Sequence, residues 1–184
     1  MKFVQPIRDP VKLSEIKSYL RNQNHRNYIL FQIGINTGFR ISDILPLKVL
    51  DVKGTHITIQ EQKTRKEKKV LIRKSLRKDL DEYISNKRDE ELLFPSRNRK
   101  GSRKPHPISR NMAYKIIRNA AAEFGLSEIG THSMRKTFGH NFYMKKRDIV
   151  LLMELFNHEE EKVTLRYIGI LQDTLDDALE DVEL

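Results

Sequence analysis

The sequence predicts a mainly α-helical α+β fold with one small antiparallel sheet. Most of the chain places apolar residues at helical spacing between recognisable caps, whereas only two short, neighbouring segments alternate with a period of two. The length of 184 residues suits one hydrophobic core rather than two, and 38% apolar residues suffice to pack it.

Asp9-Pro10 opens the first helix, because the carboxylate caps free N–H groups and proline is preset for the first turn; Val11, Leu13, Ile16 and Leu20 form its stripe. A second helix runs from about His25 to Asn36 and stops at Thr37-Gly38. Ser42-Asp43 starts a short helix through Ile44 and Leu45 before Pro46, so Arg40 lies between two helices. Thr55 to Gln60 and Lys69 to Arg73 alternate as hairpin strands, with Glu61 to Lys68 as a long charged tip. Helices follow at Leu76 to Asn86, Ser109 to Glu123, His132 to Lys145, Asp148 to Phe156 and Glu160 to Ile168. In the tail, 171–184, Leu171, Leu175, Ala178, Leu179 and Val182 share one helical face, which either folds back on its own domain or docks on a neighbouring protomer. No internal repeat or low-complexity linker appears, so residues 1–184 read as a single domain.

Charge narrows the partners. The net charge is +10, yet the last fourteen residues carry six acidic groups and no basic one, leaving +16 on the rest. Between Gln60 and Arg110, seventeen Lys/Arg stand against eight Asp/Glu, clustered at 63–78 and 97–104. Two such clusters favour a phosphate backbone, which releases counterions when basic side chains bind it. Lys66, Lys68, Arg97, Arg99, Lys100, Arg103 and Lys104 are the candidate DNA-binding residues. Absence of cysteine removes disulfides and thiolate chemistry, and no apolar run approaches the roughly 18 residues of a membrane span, so no membrane partner is expected. The expectation is an intracellular protein.

Six histidines invite a search for metal sites, but no His-Glu-x-x-His or calcium loop occurs, and the glycine-rich loops of nucleotide binding are missing too. No metal and no cofactor are therefore expected. Phosphodiester chemistry without them needs guanidinium groups to hold the phosphate charge, a nucleophile, and a proton donor for the leaving oxygen. Tyr19, Tyr28, Tyr83, Tyr114, Tyr143 and His140 fall mostly on apolar helix faces and read as core, while His25, His56 and His106 read as surface or loop residues.

The choice among the many arginines comes from Thr37-Gly38-Phe39-Arg40-Ile41-Ser42-Asp43, then Thr131-His132-Ser133-Met134-Arg135, then His158 with Tyr167 nine positions later. In these ordered motifs the chain resembles the catalytic domain of the tyrosine recombinases, the phage integrase family, from about residue 8 to the end. The resemblance implies that Arg40 and Arg135 clamp the scissile phosphate, Lys63 protonates the leaving 5′ oxygen, and His132 acts as acid and base. It further implies that His158 donates a hydrogen bond to phosphate and that Tyr167 attacks to form a 3′-phosphotyrosyl enzyme, with Asp43 supporting the site from behind. Lys66, Lys68 and Lys69 lie close to Lys63 on the same hairpin, which leaves the register of the catalytic lysine open.

Phe156-Asn157-His158 replaces the commoner Leu-Gly-His, Lys136 stands where histidine is frequent, and Pro46 interrupts a segment usually free of proline. Asparagine tolerates the left-handed conformation that glycine supplies, so the turn before His158 remains feasible. Only about ten residues precede the first helix, so the separate N-terminal clamp domain of most relatives is expected to be absent. The resemblance implies double-stranded DNA as partner, a homo-tetramer on DNA with the tail helix passed between protomers, and a monomer in dilute solution. Half a clamp also suggests an accessory DNA-bending protein, and the family points to a bacterial cytoplasm, on nucleoid or plasmid. Two other functions share the motifs: relaxation of one duplex by a type IB topoisomerase-like enzyme, and a non-cleaving DNA-binding accessory factor.

Overall fold

The structure is a computed structural model that describes residues 4–62, 65–97, 104–180 and 182. The helices are α1 (Pro10–Gln23), α2 (His25–Thr37), α3 (Ile41–Ile44), α4 (Lys74–Ile84), α5 (Arg110–Ala122), α6 (Thr131–Lys146), α7 (Ile149–Phe156), α8 (Glu161–Ile168) and α9 (Ile170–Glu180). Strands β1 (His56–Gln60) and β2 (Glu67–Leu71) form the antiparallel pair between α3 and α4. The mainly helical α+β class expected from periodicity is the observed one. Among the described residues no helix is long and apolar enough to cross a membrane.

Helix starts follow local chemistry. The Asp9 side chain accepts from the N–H groups of Val11 and Lys12, Asn24 from Asn27, Ser109 from Met112 and Asp148 from Leu151. Helix α2 is the central post: Ile29, Leu30, Phe31 and Ile33 are fully buried, with α1, α4 and α6 packed around it. Its polar positions are tied inward, because Tyr28 Oη donates to Asp79 Oδ2 at 2.8 Å and Gln32 Nε2 to the same oxygen at 2.6 Å. Burial first, then the Asp79 carboxylate, push the Tyr28 phenol up to about 12, so this tyrosine is a structural hydrogen-bond donor.

Gly38 ends α2 with φ +65°, and a Cβ there would lie 2.5 Å from the Phe138 ring. That close approach lets α6 lie directly against the turn that presents Arg40. Helix α6 also serves a second, smaller core, where Phe138 packs with Leu152, Phe156 and Ile168 from α7 and α8. A Cβ at Gly139 would strike Phe156 and Ile168 at 2.7 Å, so glycine sets the spacing there. The turn after α7 uses Asn157 at φ 51° and ψ 49°, as the left-handed tolerance of asparagine allows.

The hairpin corrects the sequence reading. Strand β2 starts at Glu67 rather than Lys69, with Ile57 opposite Val70 and Ile59 opposite Lys68. Alternation then points Lys68 inward beside Val70, and the side chain is buried at 8% exposure. Lys68, expected to bind DNA from the charged tip, is therefore part of the interior. The tip itself shortens to the segment between Gln60 and Glu67, closed by hydrogen bonds from Glu61 N to Lys66 O and from Arg65 N to Glu61 O.

The tail departs from the core. No residue of α9 is buried, Leu175 and Val182 are exposed, and Leu179 is 70% exposed. Its base is nevertheless tethered, because Arg8 donates to both Asp173 oxygens, at 2.8 and 3.2 Å. On the apolar face of the tail Leu175, Ala178, Leu179 and Val182 are exposed, while Leu171 is half-buried.

Candidate active site

Arg40 sits just before α3, where the extended backbone after Gly38 turns its side chain into a cleft of about 1080 Å³. His132 and Lys136 from α6 and Tyr167 from α8 line the same cleft, together with Arg110 and Tyr114 from α5. Arg135 lies beneath the cleft at 2% exposure. Its Nη1 donates to Gly38 O at 2.6 Å and its Nη2 to Phe156 O at 3.0 Å, and the guanidinium carbon stands 4.1 Å from the centre of the Phe156 ring. One planar cation therefore joins the turn that carries Arg40 to the turn that carries His158.

Tyr167 is half-buried, its ring edge-on to His158 at 5.4 Å and to Phe156 at 5.7 Å, with the Lys136 ammonium 5.3 Å from its centre. The His158 ring is fixed in turn by Nδ1 against Thr164 Oγ1 at 3.1 Å. Burial pushes the Tyr167 phenol up, while Arg135 and Arg40 pull it back. His132 is pushed down, first by burial and then by Arg135, Lys136 and Arg40, which favours neutral imidazole at physiological pH. A protonated phenol and a neutral imidazole thus border one cleft, the starting protonation states for nucleophilic attack assisted by a base.

Acidic groups organise the cations. Asp43, 3% exposed, accepts from the backbone N–H of Gln62 at 3.0 Å, which pins the start of the hairpin tip to α3. Glu61 is fully buried, with Oε1 2.7 Å from Arg40 Nη1 and 3.9 Å from Lys68 Nζ, while Oε2 accepts from Asn157 Nδ2 at 2.8 Å. The Arg40 contact is an ion pair lying off the hydrogen-bond axis. Among the described residues no three His, Asp or Glu side chains converge to hold a metal ion.

Of the expected site residues, Arg40, His132, Arg135, His158 and Tyr167 come together, with Asp43 behind them. Lys63 lies outside the described residues, as do Arg99, Lys100 and Arg103; Gln62, next to Lys63, lines the cleft. Lys66, Arg97 and Lys104 are exposed. Sequence motifs give Glu61 and Lys136 no chemical role and place Tyr114 in the core, whereas Lys136 and Tyr114 line the cleft and Glu61 lies buried against Arg40. The signal for Glu61 was present, because residues 57, 59 and 61 share one strand face.

Lys68 Nζ donates to the Leu155 carbonyl in the last turn of α7 and faces the Phe39 and Phe156 rings. Burial first, then Arg135, lower its pKa to about 8, with Glu61 opposing. Because the folded value lies below the ordinary 10.5, the folded state binds fewer protons between pH 8 and 10.5. Stability contributed through this group therefore rises with pH across that window, by an amount on the order of 2 kcal/mol. Urea unfolding of wild type and Lys68→Met at pH 8 and pH 10 should show the wild type gaining relative to the variant; parallel changes would contradict it.

A helical frame and one hairpin thus hold Tyr167 beside Arg40, Arg135, His132 and His158. Residues 9–173 match the phage integrase family. Probable integrase/recombinase YoeC of Bacillus subtilis is 50% identical over 176 residues, covering 95% of this chain and 94% of that protein. Tyrosine recombinase XerH of Campylobacter jejuni is 28% identical, covering 84% of this chain but 44% of its own. Among solved structures, XerA recombinase superposes with a TM-score of 0.72 at 19% identity, covering 95% of this chain and 65% of its own. XerH bound to palindromic difH substrate in a post-cleavage complex gives 0.69 at 23% identity, over 97% and 53%. The chain belongs to the phage integrase family. It spans nearly the whole of the Bacillus relative and about half of the Xer-type ones.

Proposed function

We propose that the protein is a site-specific DNA recombinase that cuts and rejoins strands through a 3′-phosphotyrosyl intermediate at Tyr167. The carrying observation is that Arg40, His132 and Tyr167 line one cleft, with Arg135 beneath it and the His158 ring edge-on to Tyr167 at 5.4 Å. Arg40 and Arg135 hold the non-bridging oxygens of the scissile phosphate and stabilise the charge of the pentacovalent transition state. His132 takes the phenolic proton as the Tyr167 oxygen bonds to phosphorus, and His158 donates to a phosphate oxygen. Breakage of the bond to the 5′ oxygen releases a hydroxyl, protonated by Lys63. The new phosphodiester keeps the energy of the old one, so a 5′ hydroxyl from another strand reverses the step without ATP.

Double-stranded DNA is the substrate, and the exposed Lys66, Arg97 and Lys104 contribute to backbone binding. Among the solved neighbours, the Tn1549 transposon integrase is in complex with transposon right end DNA. Exchange pairs two duplexes, so four protomers act together, and the uncovered face of α9 docks on the adjacent protomer. Free protein in dilute solution is monomeric, because the exchange partners meet on DNA.

The test is incubation of the protein in EDTA and low salt with supercoiled plasmid carrying its own flanking DNA, followed by a denaturing gel. A covalent protein–DNA adduct and rearranged plasmid are expected. Relaxed plasmid without rearrangement would favour the topoisomerase-like reading, and tight binding without any adduct would favour the accessory-factor reading.

A further inference from the structure

We propose that Glu61 is a positioning residue for phosphodiester cleavage, fixing the Arg40 guanidinium and tying the hairpin to the turn that carries His158. The inference rests on the recombinase reading above and assigns a residue to that same site. Glu61 extends the inward face of β1 beyond Ile57 and Ile59, and its side chain is completely removed from solvent. A carboxylate in such a place needs partners on both oxygens. Oε1 meets Arg40 at 2.7 Å, and Oε2 accepts from Asn157 at 2.8 Å.

Each partner stands beside a reacting group. Arg40 lines the cleft and has four further N–H groups beyond the one nearest Glu61, so the carboxylate holds the buried side of the guanidinium and leaves the other side to phosphate. Asn157 precedes His158, and its left-handed backbone is what aims its side chain at the hairpin. The main chain of Glu61 also closes the tip, through Lys66 O and Arg65 N. One side chain therefore couples three segments whose relative placement sets the geometry around phosphorus. Asparagine in place of the commoner glycine at 157 is accounted for by the same contact.

A positioning role separates binding from chemistry. Glu61→Gln keeps the volume and an oxygen for Asn157 but removes the charge that orients Arg40. DNA affinity, measured by anisotropy on a labelled duplex, should equal or exceed wild type because a negative charge near the phosphate is lost. The rate of covalent adduct formation at saturating protein should fall on the order of 10- to 100-fold, as misplacement by about 1 Å costs in comparable sites. Glu61→Asp should recover part of that rate. If Glu61→Gln does not fold, the double variant Glu61→Gln/Lys68→Met removes the buried partner charge and should fold, bind and remain slow. Wild-type rates in a folded variant, or affinity and rate falling together with melting temperature, would overturn the proposal. Lack of an adduct in the wild type would instead overturn the recombinase reading.

Discussion

Tyr167→Phe is expected to abolish the covalent adduct, a loss of at least about 10⁴-fold, while DNA affinity and melting temperature stay close to wild type. The substitution removes one oxygen and keeps the ring. The edge-on contacts with His158 and Phe156 and the Lys136 ammonium over the ring involve carbon, and all of them survive. The lost hydroxyl is hydrogen-bonded to Arg135, whose Nη1 and Nη2 keep the Gly38 and Phe156 carbonyls, so its removal leaves neither terminal nitrogen without a partner. Tyr114 lines the same cleft and is the informative control. An adduct that persists in Tyr167→Phe and disappears in Tyr114→Phe would move the nucleophile to α5. Phosphotyrosine mapped to Tyr167 by peptide mass would fix it on α8.

The contrast between Tyr167 and Tyr28 shows what local sequence can carry. Both sit on helices, α2 and α8, but Tyr28 donates to a buried Asp79, whereas Tyr167 faces cations. Periodicity separates inside from outside; it does not say whether the inside holds a cleft, which is why Tyr114 was read as core. The starts of the helices at Asp9, Ser109 and Asp148 are legible because those side chains act on N–H groups within three residues. Strand β2 was misplaced by two residues because its register depends on a partner strand, and that slip hid the inward turn of Lys68. The ordered motifs revealed Arg40, Arg135 and Tyr167 through family resemblance, since nothing local distinguishes them from other arginines and tyrosines. Glu61 escaped because a single acidic residue among lysines reads as solvated surface until the pairing is known.

Arg135→Lys carries the second large effect and a different signature, since it should lose both rate and stability. The guanidinium donates to the Gly38 and Phe156 carbonyls from separate nitrogens while stacking on the Phe156 ring. An ammonium cannot reproduce two diverging bonds and a stacked plane at once. Losing one charge-assisted bond at a buried carbonyl costs about 1.5–3 kcal/mol. The same loss frees the Gly38 turn, which sets Arg40, and the turn that carries His158, so cleavage should fall by about 10²–10³-fold. Arg40→Lys is the matched comparison. Its side chain is 18% exposed, and its partner is Glu61 rather than backbone, so a similar rate loss should come with a smaller stability loss, because an ammonium keeps a positive charge beside that carboxylate. Urea unfolding and adduct kinetics on both variants decide the matter. Equal stability losses, or an Arg135→Lys protein as stable as wild type, would show that Arg135 does not tie the two turns together. A rate loss confined to Arg135→Lys would show that Arg40 does not hold the phosphate.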